Sequence, residues 1–143
     1  MGDEKNVYVK DIMTRKVITA SPEDPIFEII DCFLEKRVNG LPVVDHNGVL
    51  CGIITVTNLF HFLDSLLFDD PLNNYLKDSK TTVRDLMTKD VVTVASDAPV
   101  REVVHTSLYK NIHAIPVVDN GKIVGIVGKR DILKAGFSLI KKK

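Results

Sequence analysis

Two short stretches carry the groups best suited to chemistry: Gly125-Ile126-Val127-Gly128-Lys129-Arg130-Asp131 and Gly52-Ile53-Ile54-Thr55-Val56-Thr57-Asn58. Each reads as a strand that ends at a small or hydroxyl-bearing residue and runs into a helix. Free N–H groups at a helix start favour an anion. Asp131, three residues past the strand end, can accept both vicinal hydroxyls of a ribose, and Lys129 and Arg130 beside it can neutralise phosphate. In outline this is a small nucleotide site.

Signals for catalysis are missing. His46, His61, His105 and His113 show no metal-ligand spacing, and no serine or cysteine sits in a nucleophile elbow. Neither a Gly-x-Gly-x-x-Gly turn nor a P-loop lysine occurs. The sequence therefore reads as a binding protein with no metal, not as an enzyme. Cys32 and Cys51 are too far apart for a Cys-x-x-Cys pair and too few for a disulfide framework, which fits a reducing compartment. Lysine plus arginine (19) balances aspartate plus glutamate (19), so no global field draws the chain to nucleic acid or an anionic membrane. The charged start, Met1-Gly2-Asp3-Glu4-Lys5, lacks the apolar core of a signal peptide. The most apolar run, Leu59 to Phe68, is broken by His61 and Asp64 and falls short of the ~20 residues a membrane span needs. The expected location is the cytoplasm.

The elements that hold these stretches occur twice. Val9-Lys10-Asp11-Ile12-Met13-Thr14 answers Val83-Arg84-Asp85-Leu86-Met87-Thr88 at an offset of 74, and the offset still holds at Pro42 and Pro116. It drops to 73 between Gly48 and Gly121, so the missing residue falls in a turn. An internal repeat governs every other reading. The repeats span 9–68 and 83–140, with 69–82 as a polar, turn-rich linker, residues 1 to 8 as a loose lead-in and Lys141-Lys142-Lys143 as a solvated tail. In each copy a β-branched run, Val17-Ile18-Thr19 or Val91-Val92-Thr93-Val94, suits a short strand. Asp24 before Pro25 predicts an N-cap followed by a proline at the first helical position. Ile26, Ile29, Ile30, Phe33 and Leu34 then mark one helical face, repeated at Val100, Val103, Val104 and Leu108.

Strands at Leu41 to Val44 and Val49 to Ile54, and at Ile115 to Val118 and Lys122 to Val127, should pair as hairpins. Asn120-Gly121 suits a two-residue loop, and Gly48 suits the left-handed position of a longer one. These strands are apolar on both faces and need cover on both sides. Halves of ~60 residues are marginal by themselves. The predicted fold is α/β (α+β), two β-α-β-β-α repeats packed sheet against sheet around a pseudo-twofold axis. The closing helices carry wide apolar stripes, Leu59, Phe60, Phe62, Leu63, Leu66 and Leu67, and Ile132, Leu133, Phe137, Leu139 and Ile140. Stripes that wide predict a homodimer.

The combination of Asp-Ile-Met-Thr, Val-Val-Thr-Val, a helix, Ile-Pro-Val-Val-Asp, a glycine turn and a Gly-to-Asp strand end resembles the cystathionine β-synthase (CBS) domain. The tandem is similar to a CBS pair, or Bateman module, and the likeness covers Val9 to Phe60 and Val83 to Leu133. The resemblance implies clefts that bind adenine-containing ligands (AMP, ADP, ATP, NAD or S-adenosylmethionine) and so regulate an attached or partner protein. It also implies a threonine or serine that meets phosphate, an aspartate three residues later that meets ribose, and an adenine held by backbone and apolar side chains around the hydrophobic-x-hydrophobic-Pro segment.

Carried over, the first copy keeps Thr55 but has Asn58, and the second keeps Asp131 but has Gly128 in place of the hydroxyl. Asn58 lacks the charge that strengthens ribose bonds, so the Asp131 site ranks first. Its wall is expected to include Ile112, His113, Ile115 and Pro116, with Val92 or Thr93 nearby. The other site would use Val38, Asn39, Leu41, Pro42, Thr55 and Asn58, with Thr19 as the twin of Thr93. His113 reads either as a contact to base or phosphate or as a partly buried structural histidine. Asp131 competes with a reading as a first-turn carboxylate favoured by the helix dipole, and Thr55 with a reading as a helix cap. The expected function is a stand-alone nucleotide sensor acting on an unidentified protein. Two alternatives stand beside it: a dimeric scaffold with vestigial clefts, favoured by the split motifs, and nucleic-acid binding through Lys129, Arg130, Lys134 and the lysine tail.

Overall fold

Asp45 closes the first hairpin: its Oδ1 accepts from the N–H groups of Asn47 (2.8 Å) and Val49 (3.0 Å), while Gly48 takes the left-handed position at φ 79°. The computed structural model describes residues 7–68, 80–110 and 112–141, apart from the Leu139 side chain. Residues 1–6 of the lead-in, 69–79 of the linker, and Lys142 and Lys143 lie outside the described residues. The hairpin joins β1 (Gly40–Val44) to β2 (Leu50–Thr55), with Leu41 opposite Ile54 and Val43 opposite Gly52. In the second copy Asn120 (φ 51°) and Gly121 (φ 80°) form the expected two-residue loop between β3 (Ala114–Asp119) and β4 (Lys122–Gly128). Each hairpin carries one register shift, between Val43 and Val44 and between Val117 and Val118.

The one-residue difference in loop length redirects an aspartate. Asp119, the twin of Asp45, leaves its own turn and accepts from the Ser96 N–H (3.0 Å) and hydroxyl (2.5 Å). Ser96 stands where the first copy has Pro22, which has neither donor.

The strands expected at Val17–Ala20 and Val91–Val94 do not form. Each shrinks to a single parallel bridge, Ala20 to Val43 and Val94 to Val117. Ala20 N–H donates to the Pro42 carbonyl and its own carbonyl accepts from Val44; Val94 does the same with Pro116 and Val118. The next bond of a parallel ladder would need an N–H at Pro42 or Pro116, and proline has none.

Around the hairpins lie α1 (Val9–Ile12), α2 (Ile26–Lys36), α3 (Val56–Phe68), α4 (Val83–Leu86), α5 (Val100–Lys110) and α6 (Lys129–Lys141). Asp24 is not the cap of α2. Its carboxylate accepts from the Ser21 N–H at 2.9 Å, and Pro25 takes the cap position instead. Ile26, Ile29 and Phe33 are buried as the periodicity predicts, but Leu34 and its twin Leu108 are 75% and 72% exposed. Eight residues from Ile26, Leu34 has drifted about 80° around the helix, off the buried face.

Contacts divide the chain into two units that cut across the repeats: Ile18–Val91, and the N-terminal stretch up to Val17 with everything from Val92 on. The short Asp-x-Met-Thr lead of each repeat therefore packs with the hairpin of the other. In the first unit Val83 is fully buried with Ala20, Ile29, Phe33, Leu41, Val43 and Ile54; in the second its twin Val9 is fully buried with Val94, Val103, Ile115, Val117 and Val127. Full burial of one valine contributes about 1.5–3 kcal/mol, so each lead is anchored by its partner hairpin. Backbone pairing adds to this. Thr88 exchanges two 2.9 Å bonds with Ile53, and Thr14 exchanges two 2.9 Å bonds with Ile126. The preceding methionine lies over a strand glycine, because a Cβ on Gly52 would meet Met87 Sδ at 2.6 Å and one on Gly125 would meet Met13 Sδ at 2.5 Å.

Candidate functional site

Asp131 is the third residue of α6, so its carboxylate reaches back to the residue that precedes the helix. Asp131 Oδ2 accepts from the Gly128 N–H at 2.9 Å, satisfying one donor that the helix leaves open. The Thr14 hydroxyl donates to Oδ1 at 3.2 Å and lies 3.5 Å from Oδ2. Asp131 is half-buried, as are Gly128 and Lys129, and Arg130 is exposed. A carboxylate with one N–H, one hydroxyl and two neighbouring cations keeps acceptor capacity on both oxygens.

The twin at Asn58 is built differently. Asn58 Oδ1 accepts from both the Thr55 N–H (2.8 Å) and the Thr55 hydroxyl (2.9 Å), and the Asn58 N–H reaches the same hydroxyl at 3.2 Å. Thr55 thus caps α3 in a reciprocal box, the capping role weighed for it above. The free end of the amide, Nδ2, donates to the Thr88 hydroxyl at 3.2 Å. Thr14 donates to an acid and Thr88 accepts from an amide. A hydroxyl can do either, so one residue type serves both units.

Several of the other predicted residues adjoin these groups. Ala114 pairs with Gly128, and the His113 carbonyl lies 3.6 Å from where a Cβ on Gly128 would stand. Gly40 pairs with Thr55, and the Asn39 carbonyl accepts the first N–H of α3 at 3.2 Å. His113 and Asn39 are exposed, and Ile112 and Val38 are half-buried. Leu41, Pro42, Ile115 and Pro116 are buried, and the side chains of Leu41 and Ile115 belong to the core clusters. Thr19 and Thr93 are exposed, each one residue before its parallel bridge, and Val92 is half-buried. Sequence reasoning missed Thr14 and Thr88. The signal was available in their matched places at the end of the Asp-x-Met-Thr lead.

Among the described residues no group of three or more His, Cys, Asp or Glu is arranged to hold a metal, and no helix is long and apolar enough to cross a membrane.

The CBS domain family model matches residues 9–65 and 83–138, and the chain belongs to the CBS domain family. Its fold, mixed helix and strand with two small antiparallel sheets, is that of a CBS pair. Over 125 residues the chain is 32% identical to an inosine-5'-monophosphate dehydrogenase of Methanocaldococcus jannaschii, a match covering 87% of this chain and 22% of that protein. An L-aspartate semialdehyde sulfurtransferase of the same organism is 34% identical over 125 residues, again 87% of this chain and 22% of the relative. The chain thus spans about a fifth of these curated relatives.

Among solved structures, Arabidopsis thaliana CBSX2 in complex with AMP superposes with a TM-score of 0.80 at 26% identity, covering 93% of this chain and 98% of that one. The CBS pair of protein MJ0100 in complex with 5'-methylthioadenosine and S-adenosyl-L-methionine gives 0.75 at 32% identity, covering 93% and 98%.

Proposed function

We propose that this CBS pair binds an adenosine-containing nucleotide at Asp131 and acts as a regulatory sensor for a protein partner in the cytoplasm. The observation that carries the reading is the half-buried Asp131 carboxylate, oriented by the Gly128 N–H and the Thr14 hydroxyl with Lys129 and Arg130 beside it. AMP, 5'-methylthioadenosine and S-adenosylmethionine, the ligands of the two structural neighbours, share an adenosine with a free ribose diol. A carboxylate with acceptor capacity on both oxygens suits that diol. AMP, ADP and ATP add phosphate for Lys129 and Arg130, so we rank them ahead of NAD and S-adenosylmethionine. The module binds and does not catalyse: the enzymes it resembles share only this fraction of their length with it.

For the Asn58 site a second reading is favoured by a specific observation. Its only carbonyl oxygen is already taken twice by Thr55, so the amide serves the start of α3 and that cleft is structural. We propose further that the chain forms a homodimer through α3 and α6, where Phe60, Leu63, Leu67, Leu133, Phe137 and Ile140 are exposed. Phe62 is buried, and Leu59, Leu66 and Ile132 pack against the cores; the Leu139 side chain lies outside the described residues.

Calorimetric titration of nucleotide-free protein with AMP, ADP, ATP, NAD and S-adenosylmethionine in turn tests the proposal. Saturable binding of at least one is expected. Silence from all five would move the function to the scaffold reading.

A further inference from the structure

Resting on the homodimer reading above, we infer that two copies of the chain pair crosswise: the α2/α3 face of each meets the α5/α6 face of its partner, not its own counterpart. A twofold dimer can join like faces or unlike ones. Apolar burial does not choose between them, because both arrangements cover the exposed side chains of α3 and α6. Charge does.

α2 and α3 carry four acids and one base, whereas α5 and α6 carry six bases and two acids. The helices are repeats of one another, yet they differ position by position. Asp31, Glu35 and Asp64 of the first copy have His105, Tyr109 and Phe137 as twins, and His61 and Phe68 have Lys134 and Lys141. All of these side chains are exposed. No acid of α2 or α3 and no base of α5 or α6 has an ion-pair partner among the described residues, where Arg84 pairs with Glu23 outside these helices.

The charges lie inside the apolar stripes. Asp64 is one turn from both Phe60 and Leu67, and Lys134 and Lys141 stand one turn to either side of Phe137. Phe27 meets Phe62 edge to face at 6.1 Å, which places α2 and its acids beside α3; α5 packs beside α6. Joining α3 to its own copy would set Asp64 against Asp64 at a seam that loses water, and joining α6 to its own copy would gather the lysines of both chains. Like charges across an interface are costly, and opposed ones favour and steer the encounter. Crosswise pairing brings Asp64 and the acids of α2 to Lys134 and Lys141.

Sedimentation equilibrium of the full chain tests the arrangement by the sign of its salt dependence. Raising sodium chloride from about 0.05 to about 0.5 M shortens the screening length about threefold, and the wild-type dimer should weaken, whereas like-on-like pairing would tighten. D64K alone, and K134D/K141D alone, should each weaken self-association on the order of tenfold, because every dimer contains two symmetry-related seams. Mixing the two variants should restore a dimer of wild-type affinity. A wild-type chain that stays monomeric at micromolar concentration would overturn the dimer and this arrangement together. A wild-type dimer that does not weaken with salt, or variants that each self-associate like wild type, would overturn the crosswise pairing and leave the dimer standing.

Discussion

Adding one methyl group at Gly125 tests how firmly the exchanged lead is held. In G125A the new Cβ would lie 2.5 Å from Met13 Sδ, 2.9 Å from Met13 Cγ and 3.1 Å from the Thr14 carbonyl oxygen. The methionine end can swing aside, but the Thr14 carbonyl is bonded to Ile126 N–H at 2.9 Å and cannot retreat without breaking the pairing. Overpacking of this kind costs about 1–3 kcal/mol. At about 3–4 °C per kcal/mol for a chain of this size, the midpoint should fall by about 3–12 °C. Urea denaturation followed by circular dichroism gives the free energy, and a cycle with M13A separates the two contacts. In the M13A background G125A should cost less, with the carbonyl contact remaining. G136A is the control, since a Cβ there meets nothing within 4 Å and should gain up to ~1 kcal/mol of helix propensity. A G125A protein as stable as wild type, with no coupling to Met13, would refute the claim that this close approach pins the lead and, with it, Thr14.

Acid should act through Asp119, whose carboxyl is held below its ordinary range, first by the Ser96 hydroxyl and then by the Ser96 N–H. A carboxyl depressed in the folded state stabilises above its unfolded value of about 3.9, and that contribution is lost as pH falls through the folded value. S96A should therefore be less stable than wild type at pH 7, with the gap narrowing below about pH 4; a gap that widens in acid contradicts the assignment. Light scattering at micromolar concentration should give twice the chain mass of 15.9 kDa, and a charge at Leu63 or Phe137 should halve it. A wild-type monomer would dispose of the dimer.

The hairpins, their turns and most of the buried face of α2 were legible in the sequence because they follow from local chemistry: Asn120-Gly121 and Gly48 carry the turns, and Ile26, Ile29 and Phe33 carry the periodicity. Of the candidate site, the local contacts among Gly128, Asp131, Thr55 and Asn58 were legible, because they lie within three residues of one another. Contacts spanning more than a hundred residues were not. Nothing local to Thr14 says that it meets Asp131, or that Val9 is buried beside Val117. The repeat contained a hint, since the lead recurs with its threonine intact at Thr88. The lost outer strands have a more general cause. Val17-Ile18-Thr19 has strand propensity, but its neighbour strand offers Pro42 where a donor is needed, and propensity read along one segment cannot register a missing partner on another.

The most direct measurement is AMP titrated calorimetrically into wild type, D131A and N58A under one set of conditions, each protein first shown to be folded and free of nucleotide. One saturable site per chain is predicted for wild type and N58A, weakened at least about tenfold in D131A, the scale of one charge-assisted hydrogen-bonding group. Identical isotherms for wild type and D131A, or a loss confined to N58A, would contradict the assignment of nucleotide binding to Asp131.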